Sequence, residues 1–251
     1  MRSLPAALYS LIAYALFLGV FLYAIGFVEG ILVPKSIDSG TAGPLLPSLV
    51  IDTGLLLLFA SQHSIMARPG FKRVWTRLVP PSVERSTFVL FASLALALLC
   101  WQWRPLPLAV WSVGDPFAAR LLLAVSWAGW GIVLLSTFLI SHFHLFGLSQ
   151  GFARLLKRRL PEPEFATPFL YRYLRHPIYA GFIVAFWATP KMSLGHLYFA
   201  IATTGYILVG IWLEERDLVA YFGDRYLQYR ATVGMLIPRL RARSAPKRLV
   251  H

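Results

Sequence analysis

Cysteine and charged residues are both scarce in this chain, and each shortage excludes a class of protein. The 251 residues include one cysteine, Cys100, so an intramolecular disulfide is impossible, and its position inside an apolar run predicts a buried small hydrophobe. Charged residues make up 14% of the chain and hydrophobic residues 57%. A soluble domain of this composition would expose more nonpolar surface than water tolerates. The composition therefore favours an integral membrane protein whose main partner is the lipid bilayer.

Acidic residues are few as well: 11 Asp and Glu stand against 24 Lys and Arg, a formal net charge of +13. Such an excess often indicates a nucleic-acid partner. Here, however, most basic residues lie in short connections between apolar runs, at 68–85 and 154–175, and in the tail after Glu214. This distribution is typical of the cytoplasmic loops of membrane proteins. We therefore expect no nucleic-acid partner and no obligate protein partner. The pattern predicts a multi-pass protein of a bacterial-type inner membrane with both termini in the cytosol.

Long apolar runs predict the membrane spans. A helix of about 20 apolar residues crosses the hydrocarbon core of a bilayer, and the sequence has four such runs, at 5–28, 45–66, 86–103 and 117–146. The first run is too long for a secretion signal. A shorter run at 177–189 and a full one at 194–213 predict a helical hairpin whose first arm either spans or is re-entrant. The fold class is therefore an all-α integral membrane bundle of about five to six transmembrane helices.

Histidines and acids collect at one membrane level. With the basic connections in the cytosol, the second span ends near His63 and the fourth near His142, while the hairpin begins at His176 and returns to Glu214 on the same side. Ionisable groups in spans are costly and often mark function, so these segments predict a site at the cytosolic interface. Each has a plainer alternative. His63 could simply meet lipid headgroups, and His144 would point about 200° away from His142 in a helix, so that at most one of these two faces the interior.

The sequence shows no sign of a metal site. No cluster of His, Cys and Asp has zinc-like spacing, and neither a Ser-His-Asp order nor a phosphate-binding glycine loop occurs. We therefore expect no metal. Two histidines on different spans could ligate a haem, and this alternative stays open.

The segment around His176 predicts an anion-binding helix end. A proline pushes the residue before it out of the α region, so a helix should begin at Pro177 with His176 as its cap. Such a start presents free N–H groups and a positive dipole to a carboxylate, here beside the cation of Arg175. Gly181, one turn further on, would let another group approach closely.

Two motifs carry a resemblance to a known family. Residues 175–181 read Arg-His-Pro-x-Tyr-x-Gly, and residues 214–229 read Glu-Glu-x-x-Leu-x-x-x-Phe-Gly-x-x-Tyr-x-x-Tyr. This ordered pair across a hairpin resembles the integral-membrane methyltransferases of the isoprenylcysteine carboxyl methyltransferase and phospholipid methyltransferase group. The resemblance implies S-adenosyl-L-methionine as co-substrate, and its contacts would come from Tyr171, His176, Pro177, Ile178, Tyr179 and an acid at Glu214 or Glu215.

The same motifs organise the chain into three parts. We expect an N-terminal four-span membrane region at 1–148, and a cofactor-binding region with the hairpin and interfacial tail helices at 149–235. A basic, disordered tail would follow at 236–251.

Over its whole length the chain resembles a narrower branch of this family, the bacterial enzymes that methylate methanethiol to dimethyl sulfide. The supporting stretches are 33–40, 62–68, 83–87, 101–105 and 188–190. Prenylcysteine enzymes keep an arginine a turn before the acids to hold the substrate carboxylate, whereas residues 208–212 here carry no cation. The resemblance therefore implies an uncharged or thiol acceptor. Another thiol, an isoprenoid or a phospholipid acceptor stays open, as does a non-enzymatic transporter or haem-associated membrane protein.

The predicted chemistry needs a base near the acceptor. The sulfonium of S-adenosylmethionine is already an activated donor, so the protein must align the reactants in a dry pocket. The thiolate is the nucleophile, and an imidazole can take the thiol proton near neutral pH. We expect His63 or His142 to be this catalytic base, with Glu84 or Arg68 orienting or charging the site.

Overall fold

The structure is a computed structural model that describes residues 3–153, 155–157, 160 and 164–239. In chain order these residues form α1 (Ser3–Glu29), α2 (Leu45–Ala67), α3 (Pro69–Trp75), α4 (Pro81–Gln102), β1 (Ala109–Ser112), α5 (Pro116–Leu139), α6 (His142–Leu145), α7 (Leu148–Ala153), a 3₁₀ turn (Phe169–Arg172), α8 (Pro177–Trp187), β2 (Lys191–Ser193), α9 (Leu194–Phe222) and α10 (Asp224–Thr232). Most of the predicted basic tail at 236–251 lies outside the described residues, as do Arg154, Arg158 and Arg159 of the second basic connection.

Five of these helices, α1, α2, α4, α5 and α9, are long and apolar enough to cross a membrane. Each has between 22 and 29 residues, which at 1.5 Å per residue exceeds a hydrocarbon core of about 30 Å. Their outer faces expose large apolar side chains such as Ile12 and Leu46, as lipid-facing surfaces should. The predicted all-α integral membrane fold is confirmed.

Several span boundaries differ from the prediction. The fourth span was expected to reach residue 146, but α5 ends at Leu139 because Ser141 has a left-handed φ of 83°, after which α6 starts separately. The third span begins at Pro81 rather than residue 86, since a proline fits the first turn of a helix. The last helix continues through both acids to Phe222, where Gly223, with a φ of 57°, ends it.

The hairpin connects the two faces of the membrane. Helix α8 has 11 residues, about 16 Å, and an extended stretch continues it to β2. The two predicted runs leave the turn of the hairpin at 190–193, whereas in the structure these residues include β2, which pairs antiparallel with β1 from the connection between α4 and α5. The hairpin's first arm therefore carries the chain to the side where β1 lies, as helix plus extended segment.

Two glycines set the distance between α8 and α5. A Cβ atom on Gly181 would lie 2.7 Å from the carbonyl oxygen of Gly129, and a Cβ on Gly129 would lie 2.7 Å from the carbonyl oxygen of Gly181. Real side chains do not approach backbone atoms so closely. The two helices therefore pack backbone against backbone, and this contact holds the start of α8 in place.

The alternation of the spans defines two faces. We call the face where α2, α5 and α9 end and where α4 and α8 begin the basic face. The opposite face carries the β1–β2 sheet. The largest buried cluster packs Phe27, Trp103, Trp130, Phe186 and Phe199 together in the half of the bundle near the sheet. Cys100 is buried in this cluster, as predicted.

Candidate active site

A buried ion pair joins the start of α8 to α9. The Nε atom of Arg175 donates a hydrogen bond of 2.7 Å to Oε1 of Glu215, and Nε2 of His176 donates one of 3.1 Å to the same oxygen. The Arg175 side chain is 8% exposed and the Glu215 side chain 12%. Buried charges are tolerated when they are paired and hydrogen-bonded, so Glu215 is committed to holding the two helices together.

The first turn of α8 offers open N–H groups, as the sequence predicts. His176 is the residue before the helix, but its side chain makes no capping hydrogen bond because it is turned toward Glu215. The first helical bond runs from the N–H of Ala180 to the carbonyl of His176. The N–H groups of Ile178 and Tyr179 precede this bond and lack an intrahelical partner, which favours an anion at this end.

Glu214 is the more accessible of the two neighbouring acids. Its side chain is 42% exposed, and its Oε2 accepts a hydrogen bond of 2.9 Å from the hydroxyl of Tyr179. The Nδ1 atom of His176 lies 3.9 Å from the same oxygen. Sequence reasoning left the choice between Glu214 and Glu215 open. In the structure Glu215 is used internally, whereas Glu214 faces outward beside the open start of α8.

The segment that follows α10 is hydrogen-bonded to the two residues just before α8. The backbone N–H groups of Arg175 and His176 donate to the carbonyls of Gly234 and Met235 at 2.8 and 3.2 Å. Sequence reasoning did not predict this backbone pairing. Tyr229, which lies in α10 shortly before this segment, was marked in the sequence as the last tyrosine of the second motif.

Two tyrosines tie the same segment to the 3₁₀ turn. The Tyr229 hydroxyl donates to the carbonyl of Tyr171 at 2.5 Å, and the Tyr171 hydroxyl reaches the Ser136 carbonyl on α5 at 3.5 Å. Burial raises the pKa of Tyr229 to about 12 and also raises the pKa of Tyr171. Both phenols therefore stay protonated at neutral pH and act as hydrogen-bond donors.

The three other predicted cofactor contacts are Pro177, Ile178 and Gly181 at the start of α8. Pro177 is fully buried at the first position of α8, and Ile178 beside it is half-buried. Gly181 contacts Gly129 of α5, so the close approach that it allows is made by a helix. A role of Gly181 toward the cofactor stays a prediction.

His63 lies at the end of α2 on the basic face. Its ring is stacked on Phe59 at 5.5 Å between centroids and lies 5.0 Å from the ring of Phe88. Its Nδ1 atom is buried and has no hydrogen-bond partner among the described residues. A base needs a ring nitrogen that is free to accept a proton, and Nδ1 meets this need in the tautomer whose proton is on Nε2.

The end of α2 is also joined to α9. Arg68 forms an ion pair of 2.9 Å with Asp217, and the Ser64 hydroxyl donates to the Tyr206 hydroxyl at 3.3 Å. At the start of α4, Oε1 of Glu84 is buried and has no hydrogen-bond partner in the described part of the chain. His63 contacts Phe88, one turn after Glu84 in α4, and both Glu84 and Arg68 interact electrostatically with Lys72. Three of the predicted residues, His63, Arg68 and Glu84, therefore lie where α2 and α4 meet.

His142 differs from His63 in that both of its ring nitrogens are engaged. Nε2 lies 2.9 Å from the Tyr14 hydroxyl, and Nδ1 lies 2.8 Å from Oγ1 of Thr137. Thr137 donates its own proton to the Leu134 carbonyl at 2.7 Å, which assigns the Nδ1–H tautomer to the histidine. Burial lowers the pKa of His142. A proton could reach this imidazole only through Tyr14, a partner that the sequence did not indicate.

The described residues contain no group of three or more His, Cys, Asp and Glu side chains that could hold a metal ion. The polar side chains of the site instead form two adjoining groups on the basic face. One surrounds the start of α8, and the other lies at the ends of α2 and α4. This arrangement defines a multi-pass helical membrane protein with an interfacial polar site.

Comparison with known proteins narrows this class. No family model matches the chain, and no solved structure matches it. The chain is 56% identical to methanethiol S-methyltransferase 1 of Bradyrhizobium diazoefficiens over 93% of its own length and 82% of that protein's. It is 52% identical to the methanethiol S-methyltransferase of Mycobacterium tuberculosis, over 95% and 98% of the two lengths. It is also 30% identical to human nurim over 69% of each chain.

The identities to the two methanethiol S-methyltransferases extend over 93% and 95% of this chain. The chain belongs to the methanethiol S-methyltransferase family, a family of methyltransferase enzymes. The predicted membrane methyltransferase is thereby confirmed.

Proposed function

We propose that the protein transfers a methyl group from S-adenosyl-L-methionine to methanethiol and so forms dimethyl sulfide. The observation that carries this proposal is the half-exposed carboxylate of Glu214, held by Tyr179 beside the open start of α8. The names of the family members support the acceptor. We further propose that residues 149–235 are the cofactor-binding region and that the four-span region at 1–148 supplies the acceptor side.

The residues at this helix end fit the chemical groups of S-adenosylmethionine. When bound, the molecule supplies a methyl group activated on a sulfonium. The N–H groups at the start of α8 suit its carboxylate, and the carboxylate of Glu214 suits its ribose hydroxyls or its cationic end. Arg175, His176 and Glu215 fix the direction of α8. Among the described residues no metal cluster stands near these groups, and the proposed reaction uses no metal.

On the acceptor side, the protein must remove the thiol proton. His63 is the stronger candidate for this base, because its Nδ1 is buried and free of partners among the described residues. His142 would act through Tyr14. Glu84 would orient the base or change the local charge around it. Residues 208–212 of α9 carry no cation, which favours an uncharged thiol over an acceptor with a carboxylate.

Dimethyl sulfide formation tests the proposal directly. Purified protein is incubated with S-adenosylmethionine and methanethiol, and the headspace is analysed for dimethyl sulfide. Product that depends on both substrates is the expected result. If the methyl group of labelled S-adenosylmethionine appeared in phospholipid instead, the acceptor would be a lipid and the thiol proposal would be wrong.

We also propose that the basic face lies in the cytosol of a bacterial-type inner membrane, as the positive charge of its connections favours. Cys100 is buried, so labelling of intact cells has little background from it. A cysteine introduced by Arg77→Cys should react with a membrane-impermeant maleimide only after the membrane is opened. Labelling in intact cells would overturn this orientation.

A further inference from the structure

Unpaired polar atoms collect at the corner where α2, α3 and α4 meet. Gln62, His63, Trp75 and Glu84 each bury one polar atom that finds no hydrogen-bond partner among the described residues: Oε1, Nδ1, Nε1 and Oε1, respectively. Buried polar atoms in folded proteins are nearly always paired, and an exception needs an explanation. Four exceptions in one corner indicate that it is built to receive a small polar group.

The same corner is rich in positive charge. Arg68 lies between α2 and α3, Lys72 is in α3 and Arg85 is in α4. The nearby acids are Asp217, which is paired with Arg68, and Glu84. Burial, followed by the charge of Arg85, lowers the pKa of Lys72, so the cations interact with one another. Arg85 forms no ion pair with a carboxylate of the described residues. Its Nε instead donates to the carbonyl of Leu145 at 2.6 Å, which leaves the terminal nitrogens of its guanidinium for another acceptor.

The ring of Phe88 contacts both this cation and the proposed base. The guanidinium carbon of Arg85 lies 4.7 Å from the centroid of Phe88, and the ring of His63 lies 5.0 Å from the same centroid. Phe88 is 3% exposed and packs with Met66 and Val89. A cation, an imidazole and an apolar wall thus meet at one point, which suits a ligand with a methyl group at one end and a negative charge at the other.

This corner adjoins the proposed cofactor site through direct contacts. Ser64, next to His63, is hydrogen-bonded to Tyr206, and Arg68 is paired with Asp217 on α9. Tyr179, the partner of Glu214, is close enough to Tyr206 and Arg68 to interact with both electrostatically. A group bound beside His63 would therefore share a wall with a group bound beside Glu214.

We infer that this corner is the acceptor site and that Arg85 stabilises the bound acceptor as a thiolate, with the methyl group against Phe88. The inference rests on the proposed function. In the step that follows, Nδ1 of His63 takes the proton of the S–H bond. A sulfur lone pair then forms the new bond to the methyl carbon as the old carbon–sulfur bond breaks. The electron pair of that bond goes to the donor sulfur, which becomes a neutral thioether.

The inference is tested with Arg85→Gln, Arg85→Lys and the control Arg77→Gln. Arg77 is exposed in the connection after α3. The turnover number at saturating methanethiol is measured against pH, since its profile reports groups that ionise in the loaded enzyme. An adjacent cation lowers the pKa of an acid by about 1–3 units. Arg85→Gln should therefore move the rising limb of the profile up by about one pH unit or more, which lowers turnover at pH 7 about tenfold.

A binding measurement provides a readout without turnover. Methanethiol is titrated calorimetrically into protein saturated with S-adenosylhomocysteine, and Arg85→Gln should weaken its binding about tenfold. S-adenosylmethionine affinity should stay unchanged in the same variant. Arg85→Lys keeps the charge but not the Nε contact to Leu145, so its rising limb should stay near that of the wild type. Arg77→Gln should match the wild type in every measurement.

The outcomes separate the inference from the proposed function. If the wild type forms no dimethyl sulfide, the proposed function fails. If the wild type is active and the rising limb of the pH profile does not move in Arg85→Gln, the inference is overturned. It is also overturned if Arg85→Lys loses as much turnover as Arg85→Gln, because Arg85 would then act only through its contact to Leu145. If Arg85→Gln does not fold, the variant Glu84→Gln tests the inference. Removal of this acid strengthens the positive potential and should move the rising limb of the pH profile to lower pH. A rising limb that stays in place or moves to higher pH contradicts the inference.

Discussion

The Tyr179 hydroxyl donates a 2.9 Å hydrogen bond to Oε2 of Glu214, and this bond joins the open start of α8 to the end of the last span. The partner acid, Glu215, is paired with Arg175 at 2.7 Å on the inner side. Two adjacent carboxylates therefore have different tasks. One holds the hairpin together, and the other faces the space where a ligand can bind.

Glu214→Gln should weaken S-adenosylmethionine binding about tenfold or more, because hydrogen bonds to a charged group contribute about 1.5–3 kcal/mol. Isothermal titration calorimetry in detergent measures the affinity. Since Glu214 is 42% exposed, the melting temperature should change little. Glu164→Gln, at an exposed position before the 3₁₀ turn, is the matched control and should bind normally.

Glu215→Gln should show the reverse behaviour. Loss of one partner of a buried ion pair costs about 3–5 kcal/mol, so this variant should lose stability in thermal denaturation before its affinity can be compared.

If Glu214→Gln bound S-adenosylmethionine as the wild type does, the assignment of Glu214 to the cofactor would be wrong.

His63→Gln should lower the turnover number about 100-fold or more, the usual range for loss of a general base. His142→Gln should cost less, because both of its ring nitrogens are engaged by Tyr14 and Thr137. S-adenosylmethionine affinity in the His63 variant serves as the control and should not change. Normal turnover on methanethiol in a protein with both His63→Ala and His142→Ala would refute the assignment of the base.

Acidification should destabilise the protein through His142. Burial lowers its pKa below the ordinary value of 6.5, so the unfolded chain takes up a proton at a pH where the folded protein does not. The stability due to the neutral imidazole is thus complete above pH 6.5 and is lost as the pH falls toward the folded pKa. His142→Gln should flatten the dependence of melting temperature on pH between these values. An equally steep dependence in the variant would assign the acid sensitivity to other groups.

Gly181→Ala should separate a packing role from a cofactor role. The new Cβ would lie 2.7 Å from the Gly129 carbonyl oxygen, and overpacking of this kind costs about 1–3 kcal/mol. The melting temperature should therefore fall. Gly131→Ala on α5, the helix that carries Gly129, is the control, because a Cβ there meets nothing within 4 Å. A Gly181→Ala protein with normal stability but weakened S-adenosylmethionine binding would instead place Gly181 in the cofactor site.

The membrane fold was determined by the sequence alone. A bilayer core requires every backbone N–H and C=O group to be bonded within the chain segment, so an apolar run of sufficient length has one stable outcome, a spanning helix. The runs at 5–28 and 45–66 correspond closely to α1 and α2. Pro177 marked the start of α8 for an equally local reason, the steric restriction that a proline places on the residue before it.

Only the tertiary structure decided which side chains meet. The pairing of β1 with β2 and the contact of Gly129 with Gly181 depend on chain segments far apart in sequence. So do the division of tasks between Glu214 and Glu215 and the difference between a free Nδ1 in His63 and an engaged one in His142. Hydrophobic transfer acts on each span by itself, whereas hydrogen bonds and close packing require particular partners at particular distances. The positions of those partners are set only when all the spans are assembled.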